Sequence, residues 1–103
     1  PADLTVLQSG RLLLTFGRRI RPLGCGALWS DDEGRTWRAD REALLAGDGI
    51  ENADLGYPST VQLADEHIVT VLYYASGSEM SEAWRGWGAV SCQAIHYRES
   101  DIL

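Results

Sequence analysis

An internal near-repeat, with an offset of 56 residues, constrains this chain more than any other feature of its sequence. Residues 7–16 read LQSGRLLLTF, and residues 63–72 read LADEHIVTVL. Each copy has a Leu, a short polar stretch typical of a tight turn, and a run rich in Leu or β-branched residues. Each copy therefore predicts a short strand, a tight turn and a second strand.

A third apolar run follows each copy, at residues 24–30 in the first unit and 88–97 in the second. The tripeptides GAL at 26–28 and GAV at 88–90 align at an offset of 62, which places six extra residues in the loop 76–86. The predicted strands are 4–7, 11–17, 24–30, 37–45, 60–63, 67–75 and 87–97. Residues 38–46 also have helical propensity, but the preceding turn favours a hairpin and hence a strand. Seven strands with regular turns predict an all-β sandwich, barrel or propeller, with four strands in the first unit and three in the second.

Composition limits the classes of function. The 103 residues hold nine Arg, no Lys and fifteen Asp or Glu, for a formal charge of −6. So acidic a chain lacks the basic face that general binding to nucleic acid requires. No apolar run approaches the ~20 residues that cross a bilayer, so no membrane span is predicted. Cys25, Cys92, His67 and His96 lack metal-ligand spacing, and neither a metal nor a cofactor is predicted.

Residues 30–37, SDDEGRTW, match the pattern Ser-x-Asp-x-Gly-x-Thr-Trp at every fixed position. Asp32 is placed to accept hydrogen bonds from backbone N–H groups of its own turn. Gly34 suits a positive φ, and the hydroxyls of Ser30 and Thr36 can bond across the turn. Trp37 is expected to begin the outgoing strand and to cover the hairpin with its ring.

This octapeptide resembles the Asp box, or BNR repeat, of sialidases and related β-propellers, in which the hairpin lies at the outer edge of the propeller. Residues 54–74, with DLGYPS, VQL and TVLYY, are similar to the last blades of a six-bladed sialidase-like propeller. The resemblance implies that residues 1–103 form one partial propeller unit. Its first blade would cover about 3–47, and its second, incomplete blade about 57–100. It also implies a structural role, rather than a binding role, for the octapeptide.

The resemblance makes Tyr57 the candidate nucleophile, since sialidases use a Tyr where other glycosidases use a carboxylate. The alternative is a Tyr that simply packs at a strand entry. Family members also clamp the substrate carboxylate with three Arg side chains. Gly26 stands where one of these is expected, and Arg21 or Arg19 would have to compensate. The resemblance identifies no counterpart here of the family's acid/base Asp or of the Glu that activates the Tyr.

Three further residues are candidate substrate contacts. Asp54 precedes Tyr57 by three residues and could line the same pocket, or it could be a solvated loop residue. Trp84 and Arg85 could stack on a sugar face, or the tryptophans of this loop could serve core packing.

Two hypotheses of function follow. The chain is a fragment or divergent member of a glycosidase-like propeller that acts on terminal sugars and is inactive alone, or it is a non-catalytic glycan-binding or assembly module. Because two blades cannot close a ring, we expect partners to cover the open faces. These would be copies of the chain, as a trimer or else a dimer, or the remainder of a longer propeller. Cys25 and Cys92, on third strands of neighbouring blades, are expected to remain unbonded to each other.

Overall fold

The computed structural model describes residues 1–47, 50–75 and 90–103, which form two antiparallel sheets. The first sheet contains, in spatial order, β1 (Ala2–Val6), β2 (Leu12–Arg18), β3 (Gly24–Ser30) and β4 (Ala43–Ala46). The second contains β5 (Leu55–Gln62), β6 (Ile68–Ala75) and β7 (Val90–Tyr97). The all-β prediction and its division into four and three strands are confirmed. No helix in the described part of the chain is long and apolar enough to span a membrane.

The predicted fourth strand, 37–45, is wrong in its first half. Trp37 and Arg38 precede a 3-10 turn at Ala39–Arg41, and the strand comprises only Ala43–Ala46. The Ala39 amide donates to the Trp37 carbonyl, and the Arg41 amide to the Arg38 carbonyl. The Arg38 amide still donates to the Trp29 carbonyl of β3, but the local bonds of Ala39 and Arg41 replace further pairing with that strand. The helical propensity of the stretch therefore prevails over part of its length.

The second sheet differs from the prediction at the start of β5. β5 begins at Leu55 instead of residue 60, because a shift of register between Gly56 and Ser59 lets Leu55 pair with Tyr74. This bulge allows the strand to extend past Pro58. The predicted last strand begins at residue 87, but residues 87–89 lie outside the described residues.

Strand register also corrects the alignment of the third strands. Leu28 pairs with Leu14, and Ile95 pairs with Thr70, the repeat counterpart of Leu14. Leu28 and Ile95 are therefore equivalent, at an offset of 67 instead of 62. The error arose because the GAL and GAV tripeptides look alike, whereas the longer connection of the second unit displaces its third strand.

Cys25 and Cys92 are equivalent under the same register, since they pair with Gly17 and with Tyr73 respectively. Both thiols are free, as expected; Cys25 is buried and Cys92 is exposed. Burial raises the pKa of the Cys25 thiol to about 11, so this thiol stays protonated at neutral pH.

The two sheets pack face to face around one apolar cluster. Its buried members are Leu7, Leu13, Ala27, Ile68, Tyr97 and Ile102. A line of hydroxyls crosses the same interface: Thr15 Oγ1 lies 3.0 Å from Thr60 Oγ1, which lies 2.8 Å from Thr70 Oγ1, which lies 2.7 Å from the Tyr97 hydroxyl. Because buried hydroxyls are costly unless paired, this line fixes the relative position of the sheets.

Antiparallel neighbours place successive connections at alternating ends of the sheets. The turn 30–37 therefore lies at one end, which we call the turn end, together with the β1–β2 turn. The β2–β3 and β4–β5 connections and the start of β5 lie at the opposite end. We call this second end the tyrosine end, after Tyr57.

Candidate functional site

Tyr57 is held in an unusual backbone conformation at the tyrosine end. Its φ is +53°, and the preceding Gly56 has a φ of +131°. The bulge in β5 leaves Tyr57 outside the paired ladder, and 60% of the residue's surface is exposed. A non-glycine residue with positive φ costs about 1–3 kcal/mol and persists where its surroundings enforce it, often at functional sites. The strand thus displays the phenol of Tyr57 to solvent.

A second tyrosine supports the first. The ring centroids of Tyr57 and Tyr73 are 5.9 Å apart, and the rings are tilted by 37°. The Tyr73 hydroxyl donates a 2.7 Å hydrogen bond to Asp54 Oδ1, and this bond, with partial burial, raises the pKa of Tyr73. Tyr73 therefore acts as a protonated donor that orients the carboxylate of Asp54.

The loop before β5 fixes Asp54 from its backbone. The Asp54 amide donates to Asn52 Oδ1 at 2.8 Å, and the Asp54 carbonyl accepts from the Ala75 amide at 3.0 Å. Asn52 is fully buried. The carboxylate is therefore attached to an anchored loop, which argues against the interpretation of Asp54 as a freely solvated loop residue.

The first sheet contributes an arginine to the same place. Arg19 follows β2 and donates from Nε to the Leu55 carbonyl at 3.1 Å. This approach requires Gly17, because a Cβ there would lie only 2.7 Å from the Gly56 Cα. The backbones of β2 and β5 thus touch, and the guanidinium of Arg19 lies beside Gly56 on the exposed side of the molecule.

The structure brings together some of the predicted site residues and not others. Tyr57 and Asp54 are neighbours through Tyr73, and Arg19 is beside them. Arg21 is exposed in the β2–β3 connection, and its carbonyl accepts from Arg18 Nη2 at 3.3 Å. No contact within the described residues joins the Arg21 side chain to the tyrosines. Trp84 and Arg85 lie outside the described residues.

Sequence reasoning did not identify Tyr73 as part of the site. The register pairs Tyr73 with Gly56, directly before Tyr57. The apolar run of β6 predicted the strand but not which of its residues contacts Tyr57. The available sequence signal was the Gly-Tyr-Pro stretch at 56–58, since glycine and proline within a strand are typical of a bulge.

The side chains of Phe16 and Glu42 occupy the space beside Gly26, where the resemblance leads us to expect an arginine side chain. A Cβ on Gly26 would lie 2.7 Å from two carbons of the Phe16 ring and 2.9 Å from Glu42 Oε1. Glu42 is itself paired with Arg18 at 2.7 Å. A long side chain at position 26 would have to displace Phe16, so the local packing is consistent with glycine.

The turn 30–37 satisfies its own polar groups. Asp32 Oδ1 accepts from the Thr36 amide and from Ser30 Oγ, each at 2.8 Å, and Asp32 Oδ2 accepts from Thr36 Oγ1 at 2.5 Å. The Gly34 amide donates to Ser30 Oγ at 3.0 Å, and Gly34 has a φ of +88°. The hydrogen bonds from Thr36 and Ser30 lower the pKa of Asp32 to about 2. Trp37 is half-buried near Gly34 but does not begin a strand. With the Asp32 oxygens engaged internally, the turn offers structure and no evident ligand site.

No group of three or more His, Cys, Asp or Glu side chains gathers as a metal site in the ranges 1–47, 50–75 and 90–103. Comparison with protein-family models, with curated proteins and with solved structures found no match to this chain.

Proposed function

We propose that this chain supplies part of an acidic-sugar site of a sialidase-like β-propeller, with Tyr57 in the position of the nucleophile, and that it does not hydrolyse sugars by itself. The observation that carries the proposal is the strained, exposed Tyr57, held against Tyr73 with Asp54 and Arg19 beside it. Glu33 and Glu66 also have positive φ, but both lie in tight turns, whereas Tyr57 lies at a bulge within a strand. Strain of this kind within an element clusters at functional sites.

The chemistry of these groups suits a sugar that carries a carboxylate. The two aromatic rings offer an apolar surface for the C–H face of a pyranose. Within the described residues, Arg19 bonds through Nε to the Leu55 carbonyl, and its Nη groups are available there for a substrate carboxylate. The Asp54 carboxylate can accept from a sugar hydroxyl on the oxygen that does not receive the Tyr73 hydrogen bond.

Hydrolysis needs more than these residues. A tyrosine nucleophile requires a partner that activates it and an acid for the leaving group, and the resemblance matches neither within the 103 residues. The glycine at position 26, covered by Phe16, also removes one arm of the expected carboxylate clamp. We therefore expect binding without turnover.

The test combines an activity assay and a binding assay on the chain. A fluorogenic sialoside should show no turnover above buffer. Saturation-transfer NMR should detect methyl α-sialoside and not methyl β-galactoside, and Arg19→Ala should abolish the signal. Arg21→Ala, two residues away and without a contact to the tyrosines, is the matched control and should retain it.

Two results would contradict the proposal. Turnover that disappears in Tyr57→Phe would refute the claim of inactivity. Equal saturation transfer to the charged and the neutral sugar, or a signal unchanged in Arg19→Ala, would refute the acidic-sugar site.

The second candidate function is a non-catalytic glycan-binding or assembly module that retains only the propeller fold. The packing of Phe16 and Glu42 around Gly26 favours it, because the clamp is not merely incomplete but replaced. Sialoside binding by a longer propeller that contains this chain, without turnover, would select this candidate.

A further inference from the structure

The two sheets contact each other through faces that are not counterparts of each other in the internal repeat. In β2, Leu13 and Thr15 face the second sheet, as the core cluster and the bond from Thr15 to Thr60 demonstrate. Their repeat counterparts, Val69 and Val71, lie on the face of β6 that points away from the first sheet, because strand alternation places them opposite the buried Ile68, Thr70 and Leu72.

The reverse relation holds for the other pair of faces. Ile68 and Thr70 face the first sheet, and their counterparts Leu12 and Leu14 lie on its outer face. The third strands agree, since Ala27 is in the core and its counterpart Ala94 is exposed. Each outer face is therefore the counterpart of the inner face of the other sheet.

Both outer faces are apolar. On the first sheet, Leu4 is 57% exposed and Val6 is 70% exposed, and they pair with Leu14 and Leu12 respectively. On the second sheet, Val61 is 53% exposed and pairs with Val69, while Val71 next to it is also exposed. Exposed apolar side chains clustered on two sides of a small molecule indicate sites of interaction.

A polar contact at the internal interface also has an exposed counterpart. The Thr60 amide of β5 donates to Asp3 Oδ2 at 2.7 Å, which ties β5 to β1. Ser59 is the repeat counterpart of Asp3 and is exposed, and Leu4 is the counterpart of Thr60. A Ser59 hydroxyl could accept from the Leu4 amide of an adjoining sheet in the same geometry.

We infer that the outer face of the second sheet packs on the outer face of the first sheet of another copy of this chain. The contact repeats between copies the arrangement that the two sheets have within one copy. Such a contact is head to tail, so every added copy presents the same two faces until a ring closes. Three copies would give six sheets.

Two variants test the inference because each blocks a different face. Leu4→Asp places a charge on the outer face of the first sheet, and Val71→Asp places one on the outer face of the second. In sedimentation velocity, the wild-type chain should show a mass that rises with concentration toward a closed oligomer. Each variant alone should be a monomer, because one of its two faces is blocked.

An equimolar mixture of the two variants should form a one-to-one dimer, since each retains the face that the other lacks. Ile20→Asp is the matched control: Ile20 is 72% exposed in the β2–β3 connection, outside both faces, and this variant should assemble like the wild type. Cooperative melting of every variant verifies that it is folded.

The inference is overturned if the wild-type chain is monomeric at every concentration, as it would be if other sheets of a longer protein were the partners. It is also overturned if Val71→Asp still assembles, which would indicate that the first outer face binds itself. Folded single variants that do not pair on mixing would overturn it as well.

Discussion

The turn end and the tyrosine end of this molecule are stabilised in different ways. At the turn end, the bonds of Ser30, Asp32, Gly34 and Thr36 all lie within one stretch of eight residues. At the tyrosine end, Arg19 from one sheet meets Leu55 and Gly56 from the other, and Tyr57 and Tyr73 come from different strands. The turn 30–37 is thus built locally, although the β1–β2 turn beside it bonds to the second sheet through Gln8. The tyrosine end instead combines two strands of the second sheet with Arg19, which reaches it only when the two sheets are docked.

This difference predicts that a small change at the contact of the sheets will have a larger effect than the loss of a local bond. In Gly17→Ala, the added Cβ would lie 2.7 Å from the Gly56 Cα, and backbone cannot yield as a flexible side chain can. We expect a loss of about 3 kcal/mol in the free energy of unfolding, at the upper part of the usual range for overpacking. Sialoside binding should weaken with it.

Gly10→Ala is the control at the turn end. Gly10 has a φ of +91° but no neighbour within 4 Å of an added Cβ, so only backbone strain is introduced. This strain should cost about 1 kcal/mol and leave sialoside binding unchanged. Chemical denaturation measures the free energy of unfolding of both variants. Equal losses of this free energy in Gly17→Ala and Gly10→Ala would contradict the difference between the ends.

The next effect concerns the turn itself. Asp32→Ala removes the acceptor of the Thr36 amide and of two hydroxyls. We expect the melting temperature of Asp32→Ala to fall by a few degrees, with no change in sialoside binding. Asp31→Ala is the neighbouring control, since the exposed ion pair of Asp31 with Arg11 contributes little. An unchanged melting temperature in Asp32→Ala would refute the structural role of the turn.

The two ends should also respond to pH in opposite directions. The pKa of Asp32 is lowered from 3.8 to about 2 on folding, so its contribution is complete above about pH 4 and is lost as the pH falls toward 2. The pKa of Tyr73 is raised from 10.0, so its bond to Asp54 contributes fully below pH 10 and is lost as the pH rises further.

Melting curves of two variants measure these contributions. The difference between wild type and Asp32→Ala should shrink between pH 4 and pH 2. The difference between wild type and Tyr73→Phe should shrink only above pH 10. Differences that stay constant across these ranges would contradict the assigned hydrogen bonds.

The smallest expected effect is a difference in the rate at which the two cysteine thiols are alkylated. This rate reports on how well the sheets are packed at the tyrosine end. Cys92 is exposed beside Tyr73, whereas Cys25 is buried beside Gly17. Iodoacetamide under native conditions should therefore add one label, at Cys92, and Cys25 should react only on unfolding. In Gly17→Ala, labelling of Cys25 should become faster; rapid labelling of both thiols in the wild type would contradict the packing described.

These physical differences explain what the sequence could and could not predict. The bonds of the turn 30–37 were predictable because every partner lies within a recognisable octapeptide. The strands were predictable where apolar runs are bounded by turn residues, as in β2 and β6. The shortening of the fourth strand was not, because the local bonds around Ala39–Arg41 compete with strand formation in a stretch of mixed propensity.

The tyrosine end was predictable only in its individual residues. Tyr57 and Asp54 were singled out, but their connection through Tyr73 depends on the bulge at Gly56, which sequence periodicity does not reveal. The place of Arg19 depends on the approach of Gly17 to Gly56, a contact between residues 39 positions apart in the chain. The site therefore depends on the bulge within the second sheet and, for Arg19, on how the two sheets dock.

The central claim is that the tyrosine end binds an acidic sugar while the turn end is structural. The most direct measurement is a ¹H–¹⁵N NMR titration of the isotope-labelled chain with methyl α-sialoside. We predict saturable shifts of the amides of Arg19, Tyr57 and Tyr73, and none over residues 30–37. Shifts confined to the turn, or no shift at the tyrosine end at saturating sialoside, would contradict the account.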